Sequence, residues 1–246
     1  MRATFHPDEI VLLLPPSEGK AEGGRYGTTR ADGTRGWSPA SGRFGRNQAI
    51  AASRRDVADA LRAIDGGDRR LLGLKDGDLL DRAHAANTSL LGAPTLPAWQ
   101  RYTGVVWDHL EPRSLDAAAR RRILVVSGLL GVAAADDPVP DYRLKMNVTL
   151  PDIGKLSTFW RHEVSAAIAR AGRGRLIVDL LPNEHAAAWA PPPGVECTRI
   201  ELVDPTGSSG GHVAKAAKGR LARALLADGS DALATWQDDR FDLAVR

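Results

Sequence analysis

Cysteine is almost missing from this chain. Cys197 is the only one in 246 residues, so no internal disulfide can form and no Cys-x-x-Cys metal site exists. No apolar run reaches the roughly 20 residues that a membrane-spanning helix requires. The opening "MRATFHPDEI" has no apolar core of the kind a secretory signal carries, so a cytoplasmic location is the expectation. The 6 histidines are scattered without HxxxH or HExxH spacing, and no metal site is expected. The Walker loop GxxxxGK[ST] and the dinucleotide loop GxGxxG are both absent, and the sequence leaves any cofactor unknown. There is no internal repeat and no low-complexity tract beyond one Gly/Arg-rich segment.

What remains is an ordinary globular composition, with 43% hydrophobic and 26% charged residues. The length suits one large domain or two small ones. A net charge of +3 fits an anionic ligand or nucleic acid without requiring either. Arginine far outnumbers lysine in an Ala-, Gly- and Asp-rich background, a bias typical of high-GC coding, so many arginines here need carry no function.

The elements alternate. "EIVLLLP" reads as a buried strand closed by proline. Residues 19–46 read as a long Gly/Arg loop whose Arg25, Arg30, Arg35, Arg43 and Arg46 either line an anionic partner or are simply solvated. Residues 48–64 place Ile50, Val57, Leu61 and Ile64 on one helical face, and a second helix is expected near 78–91. "GVVWDHL" reads as a strand. "SLDAAARR" starts a helix with Ser114 as a possible N-cap. "RILVVSGLLGV" is a strand entering a glycine turn. "DYRLKMNVTL" looks extended, with Tyr142, Leu144 and Met146 on one face and Arg143 and Lys145 on the other. "LSTFWRHEVSAAIARA" reads as a helix capped by Ser157. "RLIVDLLP" and "ECTRIELVD" read as strands, "NEHAAAWA" and "GGHVAKAAKGRLARALLADG" as helices, and "RFDLAVR" as a last strand. The expected fold is α/β, a single domain with a mixed central β-sheet, flanking helices and a helical insert.

Four stretches carry chemistry. In "PPSEGK" the prolines end a strand, Gly19 opens a turn, and Ser17 and Lys20 follow with a donor, an acceptor and a cation. They suit a phosphate or carboxylate, or a Ser/Lys nucleophile–base pair, or a plain turn. "YRLKM" gathers Arg143 and Lys145, either in a site or as charges guarding an edge strand. In "LLPNEH" a buried strand ends and Glu184 follows, where α/β proteins place ligands. Glu184 is a candidate acid or base with His185 assisting; equally, Asn183 caps a helix and Glu184 suits its positive end. "HVAKAAKGR" puts Lys215, Lys218 and Arg220 early in a helix, where cations oppose the macrodipole unless an anion sits there; a solvated helix face is the plain alternative.

Taken in order, "LLPPSEGK", "RYTGVVWDHL", "VSGLLGVAAADDPVPDYRLKM", "LLPNEHAAAW" and "HVAKAAKGRLARALL" resemble the YaaA family of peroxide-stress proteins over nearly the full length. The resemblance implies one α/β body across residues 1–246, a helix-hairpin-helix-like insert at about 48–103, and a positively charged groove. It further implies cytoplasmic DNA binding and a role in limiting free iron during hydrogen peroxide stress. This chain departs from the family's usual "PPYRLEM", placing Lys145 where an acid is common, and from "LASxEY", keeping Glu184 alone. Its insert lacks a clear hydrophobic–Gly–hydrophobic hairpin. Two functions follow as expectations. In one, Lys20, Arg143, Lys145, Lys215, Lys218 and Arg220 contact DNA phosphates. In the other, the same cleft is an enzyme site for a small phosphate- or nucleotide-like anion, with Glu184, Ser17 and Lys145 as candidate catalytic groups. A scaffold without convergence of these side chains is the third.

Overall fold

The computed structural model describes residues 4–27, 35–206 and 211–246; Arg30 lies outside them. A mixed six-stranded sheet forms the centre. Its strands are β1 (Ile10–Leu14), β2 (Ile123–Ser127), β3 (Gly131–Ala134), β4 (Leu176–Asp179), β5 (Cys197–Val203) and β6 (Asp242–Val245), in the order β6-β5-β4-β1-β2-β3. β1 runs parallel to β2 and β4, and β4 parallel to β5, while β3 and β6 are antiparallel edges. All five residues of β1 and of β2 are buried, as the continuous apolar runs require of strands covered on both faces.

Seven helices matter for the site: α1 (Gln48–Ala63), α2 (Arg69–Leu72), α3 (Asp78–Thr88), α4 (Val105–Leu110), α5 (Leu156–Ala171), α6 (Asn183–Ala186) and α7 (Gly211–Asp228). α1 buries Ile50, Val57 and Leu61 as its spacing predicts, and Asn47 caps it by accepting from the Ala49 and Ile50 N–H groups. Its Arg54 is 1% exposed and donates to the Pro39, Ser41, Leu130 and Val132 carbonyls. That one guanidinium stitches the helix to β3 and to the preceding loop. The second half of the Gly/Arg segment is therefore packed, with Trp37 and Phe44 in the core.

Four local expectations are corrected. "GVVWDHL" is the helix α4, because Val106, Trp107 and Leu110 fall on one buried helical face and outweigh the strand preference of the valine pair. The helix after Ser114 begins at Ala117 and is capped by Asp116, which accepts from Ala119 N–H. Ser157 lies inside α5, buried, and not at its cap. "DYRLK" joins no strand, although Tyr142, Leu144 and Met146 are buried as the alternation requires.

The insert does contain a hydrophobic–Gly–hydrophobic hairpin. α2 ends at Leu72, Gly73 adopts φ 62° as its C-cap, Leu74 follows, and Gly77 at φ 125° opens α3. Leu72, Leu80 and Ala83 close a small core of their own. Glycine is favoured at position 73 by its left-handed backbone.

Candidate functional site

The site begins where β1 stops. Pro15 and Pro16 end the strand, and the Ser17 hydroxyl turns back onto the Gly19 carbonyl. Thr103 N–H donates to the Gly19 carbonyl at 3.2 Å, and Ala21 N–H to that of Arg101 at 2.9 Å. These bonds lay the "SEGK" turn against the segment that leads into α4. Gly104, at φ 147°, passes beneath Ser17; a Cβ there would stand 3.3 Å from the serine Cβ. Two arginines fix the backbone beyond the turn. Arg82 donates to the Lys20 carbonyl at 3.1 Å while pairing with Asp141 at 2.8 Å and Glu22 at 2.7 Å. Arg101, 0% exposed, donates to the Ala21, Gly23 and Val139 carbonyls.

Lys20 Nζ donates to the Ser17 carbonyl at 2.9 Å. It lies 4.2 Å from the centre of the Tyr142 ring and 5.7 Å from that of Tyr102. The Tyr142 hydroxyl bonds those of Tyr102 at 2.9 Å and Ser127 at 2.7 Å. Lys20 is partly exposed and lines the cleft, and burial against the turn and the two rings pulls its ammonium down to about 7 despite Asp141 nearby.

The second wall is the "YRLKM" segment. Asn87, 0% exposed, grips its backbone: it accepts from Arg143 N–H at 2.9 Å and donates to the Arg143 carbonyl at 2.8 Å. Arg143 Nε donates to the Leu72 carbonyl at 3.0 Å, tying the insert's hairpin to the cleft. Glu18 bridges both cations, at 2.7 Å from Arg143 and 3.3 Å from Lys145. Burial raises its carboxyl, but Arg143 and Lys145 outweigh that and hold it below the usual range.

The third wall rises from the end of β4. Asp179, 3% exposed, accepts from Leu181 N–H at 2.8 Å and from Trp189 Nε1 at 3.1 Å. Burial raises its carboxyl above the ordinary range in spite of those bonds and of Arg199. α6 then presents Glu184 at the rim and His185 inside. His185 Nδ1 stands 3.4 Å from Glu184 Oε1, but without hydrogen-bond geometry, and it has no other partner among the described residues. Burial first, and Lys218 second, drive the imidazole down to about 4, so it is neutral at pH 7 and the contact is no ion pair. Lys218 Nζ donates to the Leu180 carbonyl at 2.7 Å and is lowered by burial to about 8.

These walls enclose a cleft of about 1030 Å³. It opens at the carboxyl ends of β1 and β4, the neighbouring strands from which the chain winds in opposite directions; ligands of α/β proteins occupy such switch points. Ser17, Lys20, Arg143, Lys145, Glu184, Lys215 and Lys218 all line it. Arg220 does not: it faces away on α7 and pairs with Asp238. Residues 207–210, which lead into α7, lie outside the described residues. The cleft also takes in Thr103, Trp107, His212 and Arg199, which the sequence reading passed over. Arg199 reaches Asn183 Oδ1 at 2.7 Å and Glu201 at 3.4 Å. The period-two spacing of Arg199 and Glu201 on β5 was the signal for a shared polar face. Among the described residues no group of three His, Cys, Asp or Glu side chains gathers as a metal site, and no helix is long and apolar enough to cross a membrane.

Comparison with known proteins agrees with this arrangement. Residues 10–242 match the family model described as "Peroxide stress protein YaaA". A UPF0246 protein of Streptomyces coelicolor is 39% identical over 232 residues, covering 90% of this chain and 84% of its own. A UPF0246 protein of Corynebacterium efficiens is 33% identical over 223 residues, covering 88% and 84%. One from Corynebacterium glutamicum is 30% identical over 222 residues, with the same coverage of 88% and 84%. The match takes in every strand end that builds the cleft, and the chain belongs to the family of the peroxide stress protein YaaA.

Proposed function

We propose that this protein serves the peroxide-stress response by binding the DNA backbone along a continuous basic surface that runs from the insert's hairpin into the cleft. The observation that carries this reading is the bond from Arg143 Nε to the Leu72 carbonyl. It docks the hairpin, with exposed Arg69, Arg70 and Lys75 around a depression of about 590 Å³, onto the wall that holds Arg143 and Lys145. Exposed cations suit phosphates, although Arg69 also pairs with Asp76 at 3.1 Å, and binding of this kind is independent of sequence and sensitive to salt. The family's part in limiting free iron belongs to the same proposal, as protection of the bound DNA. Fluorescence anisotropy of a labelled duplex across a salt series tests it. Log affinity should fall with log salt by about 0.9 per phosphate contacted. Replacing Arg69, Arg70 and Lys75 together by alanine should flatten that slope, and an unchanged slope and affinity would overturn the reading.

A second reading is favoured by the depth of the cleft. Lys20 and Lys218 are only partly exposed in the cleft, and each is shifted by burial toward neutrality. Structural surface cations have no need of such enclosure; a site that binds and transforms a small phosphate- or nucleotide-like anion does. In that reading the cations hold the anion and Glu184 moves a proton. Glu184→Gln separates the two functions, because duplex affinity should hold or rise while turnover of a small ligand is lost.

A further inference from the structure

Lys20 is held in place more elaborately than an anion clamp requires. Its carbonyl is bound by Arg82, and the next turn of backbone is bound by the buried Arg101 through Ala21 and Gly23. Its residue pairs as a β-bridge with Tyr102. Beneath it, Tyr142 is locked between Tyr102 and Ser127 by two hydroxyl bonds. Yet the amine so fixed has no carboxylate of its own. The two acids that face it are engaged elsewhere: Asp141 by Arg82, and Glu18 by Arg143 and Lys145. The remaining charges near it, Arg143 and Arg101, repel a second cation. The only hydrogen-bond acceptor it reaches among the described residues is the Ser17 carbonyl.

We propose that Lys20 is the general base of the cleft, taking through Nζ a proton from a substrate N–H or O–H that lies beside the substrate's anionic group. This rests on the second reading above, catalysis on a small anion. In the step, the substrate's X–H bond breaks and its electron pair stays on X. The proton forms a new N–H bond on the amine, which becomes an ammonium. The ring face of Tyr142 and the Ser17 carbonyl are already placed to receive that charge. The charge left on X faces the cleft's remaining cations, Lys218 and Arg199. The phenols themselves take no part in the transfer: burial raises Tyr142 to about 12 and Tyr102 well above its ordinary value, so both stay protonated. The substrate class is an anion with an acidic N–H or O–H, a description that fits a nucleobase or sugar hydroxyl next to phosphate.

The chain has only six lysines, Lys20, Lys75, Lys145, Lys155, Lys215 and Lys218, so each can be followed by NMR in protein carrying [13C]lysine. The Cε resonance lost in Lys20→Arg should titrate near pH 7. The proton-transfer role is read with 5-nitrobenzisoxazole, a neutral chromogenic probe that reports base-catalysed C–H abstraction. Its rate should rise through the same midpoint and fall at least roughly tenfold in Lys20→Arg and in Lys20→Met. A Lys20 resonance titrating near the ordinary lysine value of about 10.4 overturns the proposal. So do equal probe rates in the wild type and both variants. Inorganic phosphate and AMP supply the separate arm. If neither slows the probe nor binds by calorimetry while Lys20 still titrates near 7, the anionic-substrate reading fails and the base remains. If both bind but Lys20 stays charged, the cleft is an anion site without this base.

Discussion

Glu18 Oε2 accepts from Arg143 at 2.7 Å while its other oxygen lies 3.3 Å from Lys145. The cleft therefore carries an internal carboxylate where an incoming anion would bind, and that anion must displace it or share its partners. Glu18 is mostly exposed, at 63% of its side chain, so the displacement costs little. Glu18→Gln should raise affinity for inorganic phosphate or a DNA duplex by roughly two- to fivefold, the scale of one exposed ion pair. It should also steepen the salt dependence, since two cations are then free to meet phosphates. Isothermal calorimetry and anisotropy read both, and an affinity that falls would mean Glu18 itself contacts the ligand.

Asn87 makes a comparable claim on stability. It is wholly buried and joins three backbone groups: the Gly66 carbonyl at 2.8 Å, the Arg143 carbonyl at 2.8 Å and Arg143 N–H at 2.9 Å. Asn87→Ala leaves all three without partners inside a packed interface. The loss should be about 2–4 kcal/mol in urea unfolding. Because Arg143 would no longer be held, the insert should become more accessible to protease than the sheet. Equal protection of insert and sheet in the variant would show that α3 is anchored by its apolar contacts alone.

The strand ends were legible because they are punctuated. Proline after an apolar run marks Leu14 and Leu181 in the sequence, and both motifs that follow open into the cleft. The alternation of "YRLKM" likewise sorted Tyr142, Leu144 and Met146 inward without a strand to enforce it. The arginines were not legible. Arg54 and Arg101, the two most buried, look in sequence like the many arginines on the surface, and only distant carbonyls identify them as anchors. Lys20 illustrates the same limit for chemistry. Its type and place were readable, but the enclosure that shifts it comes from Tyr102 and Tyr142, far along the chain. Arg220 falls outside the cleft for a reason that helical spacing carries: five positions from Lys215 and two from Lys218, it stands roughly 140–160° round the helix from both.

Gly219 sets how closely α7 approaches α4. A Cβ there would stand 2.5 Å from the Val106 carbonyl oxygen and 2.8 Å from His109 Cβ, so neither backbone nor neighbour leaves room for a methyl group. Gly219→Ala should lower stability by about 1–3 kcal/mol through forced separation of the helices, although alanine is the better helix former. Since Lys215 and Lys218 ride on α7, phosphate affinity should fall as well. A variant as stable as the wild type in urea, with unchanged affinity, would mean the two helices slide apart freely.

His185 gives the cleft an acid-sensitive element whose sign can be worked out. Its folded value is about 4, against about 6.5 when unfolded. Above pH 6.5 the imidazole is neutral in both states and favours neither. As pH falls from 6.5 toward 4, the unfolded chain takes up a proton that the folded site rejects, so stability is lost across that window and levels off below it. The full difference is about 3 kcal/mol, at about 1.4 kcal/mol per pH unit. His185→Gln cannot take up that proton in either state. The stability difference between variant and wild type should therefore shift in the variant's favour by about 2–3 kcal/mol between pH 7 and pH 4.5. Urea unfolding followed by circular dichroism at several pH values measures it. Curves that stay parallel from pH 7 down would show that the His185 imidazole titrates alike in the folded and unfolded chain, and a shift in the wild type's favour would make Glu184 its ion-pair partner.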